Sequence, residues 1–323
     1  MGKYLVTGAA GFIGARTSEM LIEEGHTVLG LDNLNDAYDP RMKEYRLARL
    51  QNMPGFTFHK VDISEKSGLD PFKGEKLDGV INLAARAGVR YSVENPWAYV
   101  ETNVIGTLNM LELCRQSGTK KFIFASTSSI YGANPPYPTP ESASSSEPLQ
   151  PYAASKKGAE ALCHSYHHLY DMDVSVVRYF TVYGPAGRPD LALFRFVQWI
   201  SEGRPVRVNG DGNQSRGFTY IDDIARATLL ALKPLGYEII NIGGHEVITI
   251  NDSIKLIEEL TGKTADVQYG PPNLADMFTN WADVSKAKGL LGWEPRTGLR
   301  AGVKKLIDWY AAERSWASRI LTP

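Results

Sequence analysis

Up to Gly184, short continuous apolar runs alternate with stretches whose apolar residues recur at helical spacing. The run Lys3-Tyr4-Leu5-Val6 leads through a glycine-rich turn into a helical pattern from Ala15 to Glu24, and a second run follows from Thr27 to Leu31. Further runs at Thr57 to Val61, Gly79 to Leu83, Lys121 to Ala125 and Val174 to Tyr179 each adjoin a helical stretch. Runs apolar at successive positions predict strands covered on both faces, and strand-helix alternation predicts an α/β chain with a doubly wound, mainly parallel sheet. After Gly184 the pattern changes to a Pro/Gly-rich loop, an amphipathic helix near Leu191 to Ser201 and short segments up to Thr219. The apolar run Tyr237 to Ile242 is expected to return to the main sheet.

Composition narrows the classes. A chain of 323 residues is long enough for one large domain or two closely joined ones. A net charge of -1 creates no field that would recruit nucleic acid or an anionic membrane, so an anionic ligand must be held by local arginines. The two cysteines, Cys114 and Cys163, fall inside helical stretches and read as buried thiols in a reducing compartment, with no disulfide and no metal site. The chain enters a core strand directly, without a leader or a bilayer-length apolar run, and the expectation is a cytoplasmic protein.

The turn Thr7-Gly8-Ala9-Ala10-Gly11-Phe12-Ile13-Gly14 sits between a strand and a helix, and Asp32 lies 18 residues beyond its last glycine, at the tip of the second strand. In that setting Gly8 permits a tight turn, Gly11 lets backbone approach a pyrophosphate, Gly14 permits close helix-sheet packing, and the helix N-terminus offers N–H groups to phosphate. The spacing is GxxGxxG. Asp32 would accept from a ribose diol and repel a 2′-phosphate, which favours NAD over NADP. Strand ends in such a sheet collect ligands: Asp62 and Ile63 are placed to meet adenine, and Leu83, Ala84 and Ala85 leave room for a flat ring, although both stretches also read as plain strand punctuation.

Residues 152 to 156 read Tyr-Ala-Ala-Ser-Lys. On a helix this step puts the Tyr152 phenol and the Lys156 ammonium on one face, and a cation there favours phenolate, which makes tyrosine a base near neutrality; alone, the pair also fits an ordinary solvated face. The strand end Phe124 to Gly132 carries four consecutive hydroxyl residues, Ser126, Thr127, Ser128 and Ser129, which otherwise read as turn formers. Together, the glycine turn, this hydroxyl run and Tyr152/Lys156 closely resemble the extended short-chain dehydrogenase/reductase family over nearly the whole chain. The resemblance implies a Rossmann-like NAD-binding domain over 1–184, with 220–250 returning to it, and a smaller C-terminal α/β lobe over 185–323, mainly for a sugar nucleotide. It implies a catalytic set of Thr127, Tyr152 as base and Lys156 as ribose holder. It also implies Phe12, Ile13, Asn33, Asn35, Asn103 and Tyr179 as cofactor contacts beside the residues above.

Within the family, the chain resembles the sugar-nucleotide 4-epimerases, in which the tyrosine takes the proton from the carbon 4 hydroxyl while hydride passes to NAD, and the 4-keto sugar is reduced on its other face. The dehydratase and decarboxylase branches generally carry an acidic residue where this chain has Ser129. The segment Arg178 to Asp190, with Thr181 where UDP-galactose epimerases usually show Asn and with GxRPD after it, resembles the UDP-glucuronate 4-epimerases. So do Asp32 to Asp39 and Ala87 to Ser92. The expected reaction is UDP-glucuronate to UDP-galacturonate. Arg188, with Thr127, Ser128 and Ser129, is expected at the sugar carboxylate, and Arg86 and Arg90 at carboxylate or pyrophosphate. Arg216 would pair with pyrophosphate and Arg207 hold uracil or its ribose. Asp276 would bond a ribose hydroxyl or cap a turn. Asn273 stands where many UDP-sugar epimerases carry Arg. The alternatives are a UDP-glucuronate decarboxylase, a UDP-glucose/galactose 4-epimerase and, from another class, a non-catalytic NAD-binding scaffold. A homodimer through helices near Val100 to Gln116 and Ala153 to Tyr170 is also implied.

Overall fold

The computed structural model describes residues 1–244, 246–272 and 277–322. Its strands, in chain order, are β1 (Lys3–Thr7), β2 (Thr27–Asp32), β3 (Phe56–Lys60), β4 (Gly79–Asn82), β5 (Lys121–Thr127), β6 (Asp173–Tyr179), β7 (Thr181–Tyr183), β8 (Val206–Asn209), β9 (Ser215–Tyr220), β10 (Tyr237–Ile242), β11 (Glu246–Thr249) and β12 (Val267–Gly270). Seven of them form one parallel sheet in the order β10-β6-β5-β4-β1-β2-β3. The order reverses at β1, which has β2 on one side and β4 on the other, so a crevice opens beyond the carboxyl ends of β1 and β4. Beside this sheet lie a three-stranded sheet, β11-β9-β7, and a parallel pair, β12-β8.

The helices are α1 (Phe12–Glu23), α2 (Arg41–Gln51), α3 (Val89–Glu94), α4 (Pro96–Tyr99), α5 (Gly106–Ser117), α6 (Pro151–Tyr170), α7 (Ala192–Ser201), α8 (Ile221–Leu230), α9 (Ile250–Thr261), α10 (Ser285–Leu291), α11 (Leu299–Ala312) and α12 (Arg314–Ala317), with a π-helical turn, Val100–Ile105, feeding α5. All seven residues of β5 are buried. Phe122 and Phe124 pack into a core with Met110 and Cys114 of α5 and Ala159 and Cys163 of α6, whereas Ile123 and Ala125 face the core built on α1, α2, α7 and α8. That is the alternation a pleated strand imposes. Both thiols are free and buried, and burial raises their pKa. No helix among the described residues is long and apolar enough to cross a membrane.

Two of the boundary differences from the sequence pattern bear on the site. The helix expected from Ala15 begins at Phe12, because Gly14 is helical despite its weak propensity and is required there by the neighbouring backbone. The strand expected to end at Ala125 runs to Thr127, so the first two hydroxyl residues are strand residues. Ser128–Tyr131 then forms a 3-10 turn, capped by the Thr127 hydroxyl accepting from Ser129 N at 3.2 Å.

Candidate active site

The chain leaves β1 through Gly8, whose φ of +67° belongs to the left-handed region. A Cβ at Gly8 would stand 2.9 Å from the Ala84 backbone, and one at Gly14 would stand 2.1 Å from the Gly8 oxygen. No larger side chain fits either place without moving backbone. The Gly11 N-cap gives no side chain to the first N–H groups of α1, which an anion is then able to take. Asp32 is held by Ala10 N at 3.2 Å and Leu34 N at 2.8 Å, and it is paired with the buried Lys43 Nζ at 3.2 Å. Lys43 also donates to Asn35 at 3.1 Å.

Gly8, Gly11, Gly14, Asp32, Asn35 and Lys43 line one side of a cavity of about 310 Å³ that runs along the crevice. Phe12, Ile13, Asn33, Asp62, Ile63, Leu83, Ala84, Ala85 and Tyr179 line it too, and its other end is walled by Thr127, Ser128, Ser129, Tyr152, Lys156, Thr181 and Arg188. Asn33 donates to Asp62 at 2.7 Å. Burial pulls the Asp62 carboxyl upward, but hydrogen bonds from Ser64 and Asn33 prevail and hold it below its ordinary range. Asn103 is absent from the cavity wall. Its buried amide is taken up by Arg86 N, Arg86 O and Ser155, so it braces the loop after β4 against α6.

At the far end, burial raises the Tyr152 phenol, while a hydrogen bond with Thr127 and the positive charge of Arg188 pull it down; the net shift is upward. Arg188 is thus a cation that favours the ionised form of Tyr152. Lys156, four residues on, is anchored to β5. Its ammonium donates to Ala125 O at 2.9 Å and lies 4.9 Å from the Phe124 ring centre, and burial pushes its pKa down to about 7 against the upward pull of Cys163 and Glu160. Arg188 donates to both oxygens of Asp190, at 3.1 and 2.5 Å, so one edge of its fork is already engaged. Burial pulls both partners toward their neutral forms, and the pair reverses this, raising Arg188 and lowering Asp190.

Four expected arginines stand outside the cavity wall. Arg86 is in the loop after β4. With the Asn209 amide turned so that its oxygen faces α3, Arg90 donates to it through both terminal nitrogens, at 3.1 and 2.6 Å, joining α3 to β8. Arg207 lies on β8, and Arg216, on β9, donates to the carbonyls of Ser215 and Phe278 at 2.7 and 3.2 Å. Asp276 and Asn273 lie outside the described residues.

The chain matches the model of the NAD dependent epimerase/dehydratase family over residues 4–243. It is 55% identical over 312 residues to the UDP-glucuronate 4-epimerase of Thermodesulfobacterium geofontis, covering 96% of each chain. The chain belongs to the NAD dependent epimerase/dehydratase family. Among solved structures it resembles the UDP-glucuronic acid 4-epimerase of Bacillus cereus, crystallised with UDP-glucuronic acid and NAD (TM-score 0.87, 36% identity, 96% of this chain and 99% of that one). It is equally similar in fold to the UDP-glucose 4-epimerase of Thermotoga maritima, crystallised with UDP-glucose (TM-score 0.90, 34% identity, 97% and 99%).

The cavity fits the dinucleotide from which this family takes its name. The glycines pack the turn against Ala84 and against its own backbone, and this leaves the N-terminus of α1, which has no side-chain cap, facing the cavity as a place for a pyrophosphate. Asp32 offers a carboxylate at the tip of β2. Among the described residues, no cluster of His, Cys, Asp or Glu forms a metal site. Several lining residues had no mark in the sequence. Lys43 sits in a charged helix that reads as solvated, and its one signal is a position between Met42 and Arg46 on the buried face of α2. Tyr38, Phe180 and Asn280 are also part of the wall, and Asn280 donates to Ser128 at 3.0 Å from a segment 152 residues away.

Proposed function

We propose that the protein is an isomerase that inverts carbon 4 of UDP-glucuronate to give UDP-galacturonate, with NAD as its resident cofactor. The observation that carries this reading is the shared cavity: a glycine turn that fits a pyrophosphate at one end, and Tyr152, Thr127 and Arg188 together at the other. Gly8, Gly11, Asp32 and Lys156 would hold NAD, which supplies reversible hydride acceptance when bound. Tyr152 takes the proton from the carbon 4 hydroxyl and returns it, with Thr127 hydrogen-bonded to it and Arg188 favouring its ionised form. The Ser128 and Ser129 hydroxyls, Thr181 and the free edge of Arg188 suit a sugar carboxylate. The thiols of Cys114 and Cys163, both free, fit a cytoplasmic setting.

The test is to incubate the purified protein with UDP-glucuronate, adding no NAD, and to follow nucleotide sugars by proton NMR. UDP-galacturonate is expected. A UDP-pentose in its place would make the protein a decarboxylase, and no change even after NAD is supplied would overturn the reading.

We also infer a homodimer. Trp97 is 75% exposed, Val100 and Ile105 are exposed on the same helical run, and α6 exposes Ala154, Gly158, Ala161 and Ser165, small residues at helical spacing that admit a close neighbouring helix. Sedimentation is expected to give twice the chain mass of 35.7 kDa, and Trp97→Glu is expected to give the single mass. A parent protein sedimenting at the single mass would refute the pairing.

A further inference from the structure

Arg46, on α2, is 3% exposed and spends all of its donors inside the protein. Its Nε donates to Ala186 O at 2.9 Å, Nη2 to Ala186 O at 2.7 Å and Gly187 O at 3.0 Å, and Nη1 to Ala10 O at 3.2 Å and the Tyr38 hydroxyl at 2.8 Å. These five bonds account for the five N–H groups of a guanidinium, a set that lysine could not replace. They reach three separate segments. Ala10 belongs to the glycine turn, Tyr38 to the loop after β2 that carries Asn33 and Asn35, and Ala186 and Gly187 to the loop that delivers Arg188.

That last loop does not hold its shape on local preference. Ala186 sits in the left-handed region at φ +53°, unfavourable for a residue with a Cβ, and Gly184 has φ +149°. A Cβ on Gly187 would come within 3.0 Å of the Gly184 oxygen. A doubly accepted carbonyl at Ala186 offsets the strain just before Arg188. Tyr38 adds a second link: its ring centre lies 5.6 Å from the Arg46 guanidinium and 6.0 Å from that of Arg188, and it lines the cavity.

We propose that Arg46, with Tyr38, is a positioning residue that sets Arg188 at the sugar end of the cavity and ties its placement to the cofactor-side loops. The inference rests on the proposed reading of Arg188 as the group that meets the sugar carboxylate. Arg46 itself reaches no substrate atom; it acts through the loop from Gly184 to Gly187. Loss of Arg46 therefore changes which sugar is held more than how well the nucleotide is held.

The test is calorimetric binding of UDP-glucuronate, UDP-glucose and UDP to the holoprotein in a Tyr152→Phe background that halts turnover. The parent is expected to prefer the glucuronate, and Arg46→Gln to reduce that preference by about tenfold with UDP affinity unchanged, the size of one displaced charge-assisted hydrogen bond. Arg188→Ala is expected to remove the preference, and adding Arg46→Gln to it to change nothing more, which a general loss of stability would not reproduce. An Arg46→Gln protein that keeps the full preference, or one that lowers it equally with and without Arg188, overturns the inference. If Arg46→Gln does not fold, Tyr38→Phe, which removes one acceptor and keeps the ring, carries the same test, and an unchanged preference there is equally fatal. A parent with no preference for the glucuronate defeats the carboxylate reading of Arg188 itself, and the positioning role falls with it.

Discussion

Replacing Tyr152 by Phe is expected to lower kcat by about a thousandfold, within the range general acid-base catalysis supplies, while the purified protein keeps its NAD. The ring that packs edge-on against Tyr99, with centres 6.0 Å apart, remains, so the loss is of the proton carrier and not of the wall. The pH dependence follows from the same atoms. Burial raises the phenol, and Thr127 and Arg188 lower it. Because the ionised form is the base, the rate rises as pH climbs through the Tyr152 pKa, and removing the Arg188 charge moves that rise to higher pH. A Tyr152→Phe protein that epimerises at near the parent rate would show that the proton travels through another group. A protein whose parent turns over no sugar nucleotide, yet holds NAD, would be the non-catalytic scaffold.

The parts of this site that lie within a few residues of a strand end were legible in the sequence. Gly8, Gly14 and Asp32 are fixed by one strand-turn-helix unit, and the turn itself states what the backbone must do. Tyr152 and Lys156 were legible as a pair on one face of a helix. Spacing fixes which helix face a side chain leaves from, whereas the direction of the Lys156 ammonium depends on the Ala125 carbonyl across the gap to β5. Charge shows in a sequence and direction does not. Arg86, Arg90, Arg207 and Arg216 stand out in the sequence as charges, and the structure adds where they lie, outside the cavity wall, with the Asn103 amide bonded to Arg86 and Ser155. Lys43 and Arg46 are the converse case. In the run Arg41 to Gln51 charged residues are common, and only their phase with Met42, Leu47 and Leu50 marks them as inward. Asn280 meets Ser128 from a distant segment, a contact that no local pattern encodes.

The site also depends on a buried ion pair beneath it, and breaking that pair has the largest expected effect on stability. Glu160 accepts from Arg178 Nε at 2.9 Å and Nη2 at 2.8 Å, and from Ser126 at 2.6 Å, with both charged side chains 2% exposed. Arg178 reaches on to the Tyr131 hydroxyl at 2.9 Å, which donates to Asn241 at 2.6 Å, so the pair locks α6 to β6 and β10. Glu160→Gln leaves the Arg178 charge buried without its counter-ion and is expected to cost about 3–5 kcal/mol in urea unfolding, a large share of the roughly 5–15 kcal/mol that holds a typical domain. Replacing both partners, Glu160→Gln with Arg178→Met, is expected to recover much of that loss, because the main cost is the orphaned charge and not the missing attraction. The pH sign agrees. Burial raises the Glu160 carboxyl, but the bond and charge of Arg178 outweigh it and hold the pKa below its ordinary range. The stabilisation is therefore present above the ordinary glutamate range and is lost only as pH falls through the lowered folded value. Glu160 also lies one turn beyond Lys156 and raises its pKa, so the single variant should leave Lys156 less protonated at neutral pH. Equal urea midpoints for Glu160→Gln and the parent at pH 7 would show that the pair contributes nothing to folding.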